Sequence, residues 1–492
     1  MLKRFLAVLI IFSVLLLVFS CAKSEEAKQN EGTPDNTPAE DDFDGIVNRA
    51  LYTEPEIKDF EEYNFRIIEN PLVYVMSYHK QVPEEMTGEV VNDAFINRNR
   101  IIEDRYNITL SSVWNDDPTT ALQRSISSGD NICDIGLVVQ SGIFGLAQYG
   151  YLIDFNTVKP LRLNMPWWDQ RIISGLSVYD KTYTLAGDIT TNDDVSTLTI
   201  LYNKNLYTEL GYENPYEMVA KGEWTMDKLY EMTKGVNLDL NGDGIIDEND
   251  RWGMASESAA LYYFFFGSGM HYIEKTPAGG YHYTLDSQKA QNVFEKTYQT
   301  LAAEDSIFDL FGTIKDHSIN VYETIEKMFM EDRLLFNVRL VGDAIRLRNM
   351  EGSFGFLPFP KYDAAQAEYY SWVTWNAPTV VMPSTVPDAE KSGLIMEALA
   401  FESMFTIREP FYGNLLDVKV ARDNEDTQML DLILNSKMYD LDGVNALSGI
   451  QSGIFDMVHN MLLNRNPTFA SSWERIQGRA EANLERFLSA FE

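Results

Sequence analysis

The segment ITLSSVWNDDPTTALQRSISSGDNICDIGLVV, residues 108–139, has the clearest secondary-structure pattern in the chain. Within it, Ile108–Val113 has the composition of a strand, Pro118–Ser128 has helical spacing, and Ile135–Val139 is a short apolar run typical of a buried strand. Strand, helix and strand in this rhythm predict a parallel or mixed sheet that is covered by helices.

The same rhythm continues on both sides of this stretch. Asn64–Ile68 predicts a strand, and Asp93–Tyr106 predicts the helix that follows it. Further along, Leu198–Tyr202 predicts another strand, and a helix is expected over Thr225–Val236 with Thr225 as its N-cap. The fold class predicted from these patterns is therefore α/β.

Composition limits the possible functions. The chain has 492 residues, 45% of them hydrophobic, which predicts a folded protein with more than one core. Its net charge of −34, from 40 basic and 74 acidic residues, argues against a nucleic-acid partner and leaves neutral ligands such as sugars unpenalised. Cys21 and Cys133 are the only cysteines, which excludes a disulfide scaffold and a cysteine-based zinc site.

The amino terminus has the features of a bacterial lipoprotein signal. Lys3 and Arg4 precede an apolar run, Phe5–Phe19, that is short for a membrane span and ends before Ser20 and Cys21. We expect a signal peptide over residues 1–20, a lipid on Cys21 and an acidic disordered tether over residues 21–45. A retained anchor helix and an ordinary signal are the alternatives. The expected location is the cell envelope, lipid-anchored to a membrane outside the cytoplasm.

The order of several segments resembles the extracellular solute-binding proteins of ABC importers (family 1), in the carbohydrate-binding branch that includes maltose-binding protein. The matching segments run along nearly all of the chain after the tether: SSGDNICDIGLVV (127–139), LAQYGYLIDF (146–155), MPWWD (165–169), GDITTNDDVSTLTILYNKNLYTELGYENPYE (187–217), KGEWTMDKL (221–229), DLNGDGIIDENDRWG (239–253), NMEGSFGFLPFPKYD (349–363) and EYYSWVTWNAP (368–378).

This resemblance implies a two-lobed periplasmic-binding-protein-like fold of type II, with the ligand in a cleft between lobes that are joined by crossover strands. It places the amino-terminal lobe at residues 46–195 and 377–412, and the carboxy-terminal lobe at residues 196–376 and 413–492. The first crossover is expected near Thr190–Thr199, the next near Trp375–Pro383, and the last after Glu409.

The segment DLNGDGIIDEND, residues 239–250, predicts a calcium loop. Its oxygen-bearing residues have the spacing of an EF-hand loop, Gly244 allows the tight turn, and the usual final glutamate is replaced by aspartate. We expect one structural Ca²⁺ that staples the second lobe; an acidic turn that binds nothing is the alternative. The predicted ligands are Asp239, Asn241, Asp243, the carbonyl of Ile245, Asp247 and Asp250.

Aromatic residues are candidates for stacking on the apolar faces of sugar rings. Trp375, beside Asn376 at the expected crossover, is the favoured platform, and Tyr263 is a further candidate within the run Tyr262–Phe266. Trp372 fits a core position equally well. The resemblance also places a set of polar residues at the rim of the cleft, each with a structural alternative such as a turn, a cap or an ion pair: Gln140, Ser141, Asp188, Asp193, Asp194, Ser196 and Arg339.

The sequence contains no HExxH, GxSxG or P-loop motif, so we expect a binding protein and no enzyme. The expected function is capture of a carbohydrate, with an oligosaccharide favoured, by hinge closure, followed by delivery to the permease subunits of an ABC transporter. Two alternatives are a secreted, calcium-stapled enzyme acting on glycans and a receptor of the same fold that serves a membrane sensor.

Overall fold

The computed structural model describes residues 48–70, 72–73, 76–77, 79–257, 259–302, 307–309, 320–416, 424–449 and 453–492. The predicted signal peptide, the lipid site at Cys21 and the tether lie outside the described residues. The strands are β1 Tyr63–Glu69, β2 Leu72–Val73, β3 Met76–Ser77, β4 Ile108–Trp114, β5 Ile135–Val139, β6 Leu198–Asn203, β7 Trp252–Ser256, β8 Ile273–Lys275, β9 Tyr281–Tyr283, β10 Ile307–Asp309, β11 Leu334–Leu340, β12 Phe354–Leu357, β13 Ser371–Trp372, β14 Pro378–Val381 and β15 Lys437–Met438.

The helices flank these strands. They are α1 Val90–Tyr106, α2 Pro118–Ser128, α3 Gln140–Gln148, α4 Gln170–Leu176, α5 Asn192–Val195, α6 Lys204–Glu209, α7 Pro215–Ala220, α8 Met226–Thr233, α9 Ala260–Gly267, α10 Gln288–Leu301, α11 Val321–Met330, α12 Ala389–Thr406, α13 Arg408–Leu416, α14 Asn424–Asn435, α15 Leu441–Asn445, α16 Ile454–Leu463 and α17 Phe469–Ser489, with 3-10 turns at Arg49–Leu51, Phe155–Thr157 and Val341–Asn349.

The first sheet has the strand order β14-β5-β1-β4. Strands β4 and β5 pair with β1 in parallel, and β14 returns antiparallel to β5. Helices α1 and α12 pack against each other, and their apolar residues share one core with β1. Phe65, Ile102 and Phe401 are fully buried there, so this sheet has its own hydrophobic core.

The second sheet has the strand order β10-β7-β11-β6-β12. Here β7, β10 and β11 run parallel, whereas β6 pairs antiparallel with both β11 and β12. Every residue of β6 is buried, which fits a central strand covered on both faces. The two sheets draw on different parts of the chain, residues 63–139 with 378–381 and residues 198–357.

The element predictions from periodicity are confirmed. The strand, helix and strand expected over residues 108–139 are β4, α2 and β5. Thr225 caps α8, because its hydroxyl accepts a hydrogen bond from the Lys228 amide at 3.3 Å. The mixed α/β class expected from this rhythm is therefore the class observed.

The last helix, α17, contacts two helices from different parts of the chain: α10, and α3, which directly follows β5 of the first sheet. Near its start, Phe469 stacks on Phe294 of α10 with ring centroids 3.9 Å apart. Near its end, Phe487 packs edge-on against Phe144 of α3, at 5.5 Å. Within the described part of the chain, no helix is long and apolar enough to cross a membrane.

Candidate ligand-binding site

A cavity of about 290 Å³ opens beside the second sheet, where the chain crosses back to the first. Its walls come from β6, β11, the segment after β13, the helices α9, α11 and α16, and the 3-10 turn Val341–Asn349. Four residues predicted from the sequence line it: Tyr263, Arg339, Trp375 and Asn376. The remaining lining residues are Leu198, Glu257, Ala259, Tyr322, Val338, Leu340, Asp343, Arg346, Thr374 and Phe455.

Backbone hydrogen bonds hold the crossover segment against both sheets. The Thr374 amide donates to the Ser196 carbonyl at 3.2 Å, just before β6. On the other side, the Ser141 amide of α3 donates to the Trp375 carbonyl at 3.2 Å, and the Gln140 amide donates to the Ala377 carbonyl at 3.1 Å. The predicted residues Gln140, Ser141 and Ser196 therefore position the crossover through their backbones.

Aromatic rings form one side of the cavity. Trp375 is half-buried, and its ring centroid lies 5.4 Å from that of Trp372 and 5.1 Å from that of Phe455. Tyr263 stacks on Trp372 at 5.7 Å with an angle of 26° between the rings. Trp372 is fully buried, so it supports the platform from behind, as its core interpretation predicts.

Polar groups face the same space. Glu257 accepts hydrogen bonds from the hydroxyls of Tyr263 at 2.6 Å and Tyr322 at 3.2 Å. Burial, together with the Glu257 charge, raises the pKa of Tyr263 well above its ordinary value, which keeps this hydroxyl protonated as a donor. Arg339 lies over the Tyr322 ring at 5.6 Å and beside Asp343 at 3.8 Å.

One cavity residue, Thr374, has an unused polar atom. Its hydroxyl is buried and finds no hydrogen-bond partner within the described residues. A buried hydroxyl without a partner is costly unless a water or a ligand satisfies it. Thr374 therefore lines the cavity while its hydroxyl stays buried beneath the surface.

The predicted aspartates lie elsewhere, because basic side chains hold them. Asp188 forms a bidentate pair with Arg408, at 2.6 and 3.0 Å. Asp193 and Asp194 both contact the ammonium of Lys437. Ion pairs hold all three residues, whereas the alternatives were a turn for Asp188 and a cap for Asp193 and Asp194. None of the three is among the residues that line the cavity.

The Lys437 ammonium lies at the centre of a buried ionic cluster. Its partners include Asp194 at 2.6 Å and Asp169 at 2.9 Å, besides Asp193. Burial acts to raise the pKa of Asp169, but Lys437 and Arg171 outweigh it and hold that pKa well below its ordinary range. Burial raises the pKa of Asp193 to about 7, even against the attraction of Lys437.

The predicted calcium loop is closed by its own amides. Asp239 accepts from the amides of Gly242 and Gly244 at 2.6 and 2.8 Å, and buried Asp250 accepts from those of Leu240 and Asp247, each at 2.9 Å. Among the described residues, no three acidic, histidine or cysteine side chains are gathered closely enough to hold a metal ion. The turn has the predicted form, whereas calcium binding stays a prediction.

Several cavity residues are not among those predicted from the sequence. Glu257 and Tyr322 are separated by 65 residues in sequence. They meet because Glu257 follows β7, β7 pairs with β11, and the helix α11 that contains Tyr322 packs against β11. Phe455 belongs to α16, in a part of the chain without a recognisable motif. The one local signal is the density of aromatic residues at 369–375, which marks the crossover but not its partners.

Comparison with solved structures finds many chains of similar fold. A cyclo/maltodextrin-binding protein complexed with maltotetraose has a TM-score of 0.56 at 13% identity, with 86% of this chain and 96% of that chain covered. An ABC substrate-binding protein from Listeria monocytogenes in complex with cycloalternan has a TM-score of 0.53 at 12% identity, with 87% and 100% covered. UgpB from Mycobacterium tuberculosis in complex with glycerophosphocholine has a TM-score of 0.51 at 16% identity, with 86% and 98% covered.

No protein-family model matches the chain, and no curated protein matches it in sequence. At identities of 12–16%, the structural likeness establishes the fold and leaves the ligand to the chemistry of the site. The chain has the two-lobed α/β fold of the ABC-importer solute-binding proteins, with its cavity at the crossover.

Replacing Lys437 by methionine tests the ionic cluster. We expect Lys437→Met to lower the free energy of unfolding by about 3–5 kcal/mol, because it leaves buried carboxylates without their cation. Lys159→Met is the matched control: Lys159 pairs with Glu390 at 3.2 Å on the surface, and its loss should cost less than about 1 kcal/mol. Urea unfolding of both variants measures this, and equal losses would contradict a structural role for the cluster.

Proposed function

We propose that this protein captures a carbohydrate outside the cytoplasm and delivers it to an ABC importer. The observation that carries the proposal is the cavity at the crossover, where a half-buried tryptophan stands beside fixed polar groups. Sugar rings present apolar C–H faces that pack on aromatic rings, and their hydroxyls need donors and acceptors. Trp375 supplies the apolar surface, and Glu257 and Arg339 supply the polar partners.

The charges at the cavity favour a neutral ligand. Each guanidinium on its wall already has a carboxylate partner, Arg339 with Asp343 and Arg346 with Glu326 at 2.8 Å. A charged ligand would have to break one of these ion pairs. A neutral polyol can hydrogen-bond to the paired carboxylates and guanidinium groups and leave the ion pairs intact. Maltotetraose and cycloalternan, the ligands of two structures of similar fold, belong to this neutral class.

Capture would use hinge closure about the segment that joins the sheets, with the ligand first held by the cavity residues, which all belong to the predicted carboxy-terminal lobe. A ligand that contacts the crossover and both lobes would bind the closed arrangement more tightly than the open one. The ratio of these two affinities sets how far the ligand shifts the equilibrium between open and closed forms. No bond in the ligand is made or broken. The closed form would then be the form that the permease recognises.

The proposed location is the outer side of a membrane, with a lipid on Cys21 and the acidic segment 21–45 as a tether. Support comes from the positive residues Lys3 and Arg4, the apolar run Phe5–Phe19 and the serine before Cys21. A tether would keep the folded part near its permease. A receptor that serves a membrane sensor would use the same anchor, and the identity of the membrane partner separates these two roles.

A glycan-active enzyme is the second candidate, because Glu257 and Asp343 both line the cavity. Glycoside hydrolysis uses a pair of carboxyl groups that flank the scissile bond. Here both carboxylates already have partners: Glu257 accepts from two tyrosines, and Asp343 accepts from the Leu340 amide at 3.3 Å and lies beside Arg339. These contacts suit acceptors in a binding site, and the state of the recovered ligand decides between the candidates.

A thermal-shift screen of mono- to oligosaccharides, followed by substitution at Trp375, tests carbohydrate capture. We expect at least one sugar to raise the melting temperature and to be recovered intact. Trp375→Ala should weaken its binding roughly 10- to 100-fold by calorimetry, because a central aromatic contact is lost, and Trp375→Phe should retain most of the affinity.

Tyr149→Ala, which truncates an exposed aromatic residue outside the cavity, is the matched control and should bind as the wild type does. Recovery of a cleaved sugar would contradict carbohydrate capture and support the glycan-active enzyme. Absence of a shift with every sugar would remove carbohydrate as the ligand class.

We also propose that the loop 239–250 binds one structural Ca²⁺, with the carboxylates of Asp239, Asp243, Asp247 and Asp250 drawn inward. Addition of calcium to chelator-treated protein should then raise the free energy of unfolding by about 2.7 kcal/mol, at a hundredfold excess over the dissociation constant. The melting temperature should rise with it. Asp243→Asn should reduce this gain, and Glu231→Gln, at an exposed site elsewhere, should leave it intact. Identical melting with calcium and with chelator would show that the loop is only a turn.

A further inference from the structure

Phe455 lines the cavity, although it comes from a part of the chain that the proposed function does not otherwise use. Helix α16 brings its ring against Trp375, with centroids 5.1 Å apart and an angle of 89° between the rings. The same ring also packs edge-on against Tyr262 of α9, at 5.6 Å. Phe455 and Trp375 thus make a right-angled corner, and both sides of the corner line the cavity.

Helix α16 holds this ring firmly. Met457, Val458 and Met461 are buried on its inner face, which packs against α9. At its start, the Ile454 amide donates to the hydroxyl of Ser448 at 2.9 Å. One turn further on, His459 stacks behind Phe455 at 6.0 Å, with only 13° between the ring planes. Phe455 is therefore a fixed wall, supported along its length.

A fixed corner limits the length of a stacked ligand. A sugar ring that lies on the Trp375 indole has the Phe455 ring standing across its path, so further rings cannot follow in that direction. The cavity volume of about 290 Å³ lies at the lower limit of ligand pockets, which span roughly 300–1,000 Å³, so a short ligand fits it better than a long one.

We infer that Phe455 sets the length of the ligand, so that the cavity takes one or two sugar rings in preference to longer chains. The inference rests on the proposed function and narrows it, because the sequence favours an oligosaccharide. Phe455 acts by exclusion: it gives a short ligand an apolar end wall and gives a longer ligand a steric clash.

Calorimetry with two ladders of sugars tests this inference. Glucose, maltose, maltotriose and maltotetraose form one ladder, and glucose with the cello-oligosaccharides of two to four rings forms the other. The wild type should bind a one- or two-ring member at least roughly tenfold more tightly than the four-ring member of the same ladder. Phe455→Ala should reduce that ratio to about threefold or less, mainly by improving the four-ring member.

Two further variants keep the test decisive. Phe455→Leu retains an apolar contact with α9 but loses the reach of the ring, and it should give an intermediate ratio with a melting temperature near that of the wild type. Phe405→Ala truncates a partly buried phenylalanine of α12 outside the cavity, and it should leave the ratio unchanged.

The outcomes separate the two proposals. Binding of sugars with no preference for short members, or an equal change at every length in Phe455→Ala, overturns the role of Phe455 and leaves carbohydrate capture standing. Failure of the wild type to bind any member of either ladder, or of the broader sugar screen, overturns carbohydrate capture itself.

Discussion

The site depends on how the crossover segment Ser371–Ala377 is held by its backbone. Its amides donate to carbonyls on both sides: Ser371 to Ser436, Val373 to Met438, and Thr374 to Ser196, at 2.9, 3.1 and 3.2 Å. Carbonyls of the segment in turn accept from the amino-terminal end of α3. Because a short connection is bonded at nearly every residue, Trp375 has one position relative to the second sheet, and the cavity is largely formed before a ligand arrives.

The ionic cluster around Lys437 lies at the same junction. Strand β15, which contains Lys437, pairs with β13 of the crossover, and the carboxylates that meet Lys437 come from the start of α4 and from α5. Removing an ammonium and its carboxylates from water costs about as much free energy as their attraction returns, so the cluster adds little net stability. Other arrangements of these segments would leave a buried charge unpaired, so the cluster favours this one. The helix α5 precedes β6 directly, which couples this arrangement to the wall of the cavity.

The sequence predicts what is periodic or local, and it misses what depends on contacts between distant residues. Residues 108–139 predict their strands and helix correctly, because alternation and capping are properties of neighbouring residues. Trp375 and Arg339 line the cavity as expected, whereas Asp188 and Asp193 pair with Arg408 and Lys437. These basic partners lie more than two hundred residues away in sequence, so the ion pairs could not be predicted from local patterns. Phe455 has no local signal at all, because its role exists only after α16 packs on α9.

Hydrogen–deuterium exchange, with and without a sugar that binds, shows whether this cavity holds the ligand. We expect the ligand to protect the amides of residues 371–376, 338–340, 257 and 259–263, which surround the cavity, and also the start of α3 on the opposite side of the crossover. Protection confined to surfaces away from the crossover, with residues 371–376 unchanged, would contradict the claim that this cavity captures the ligand.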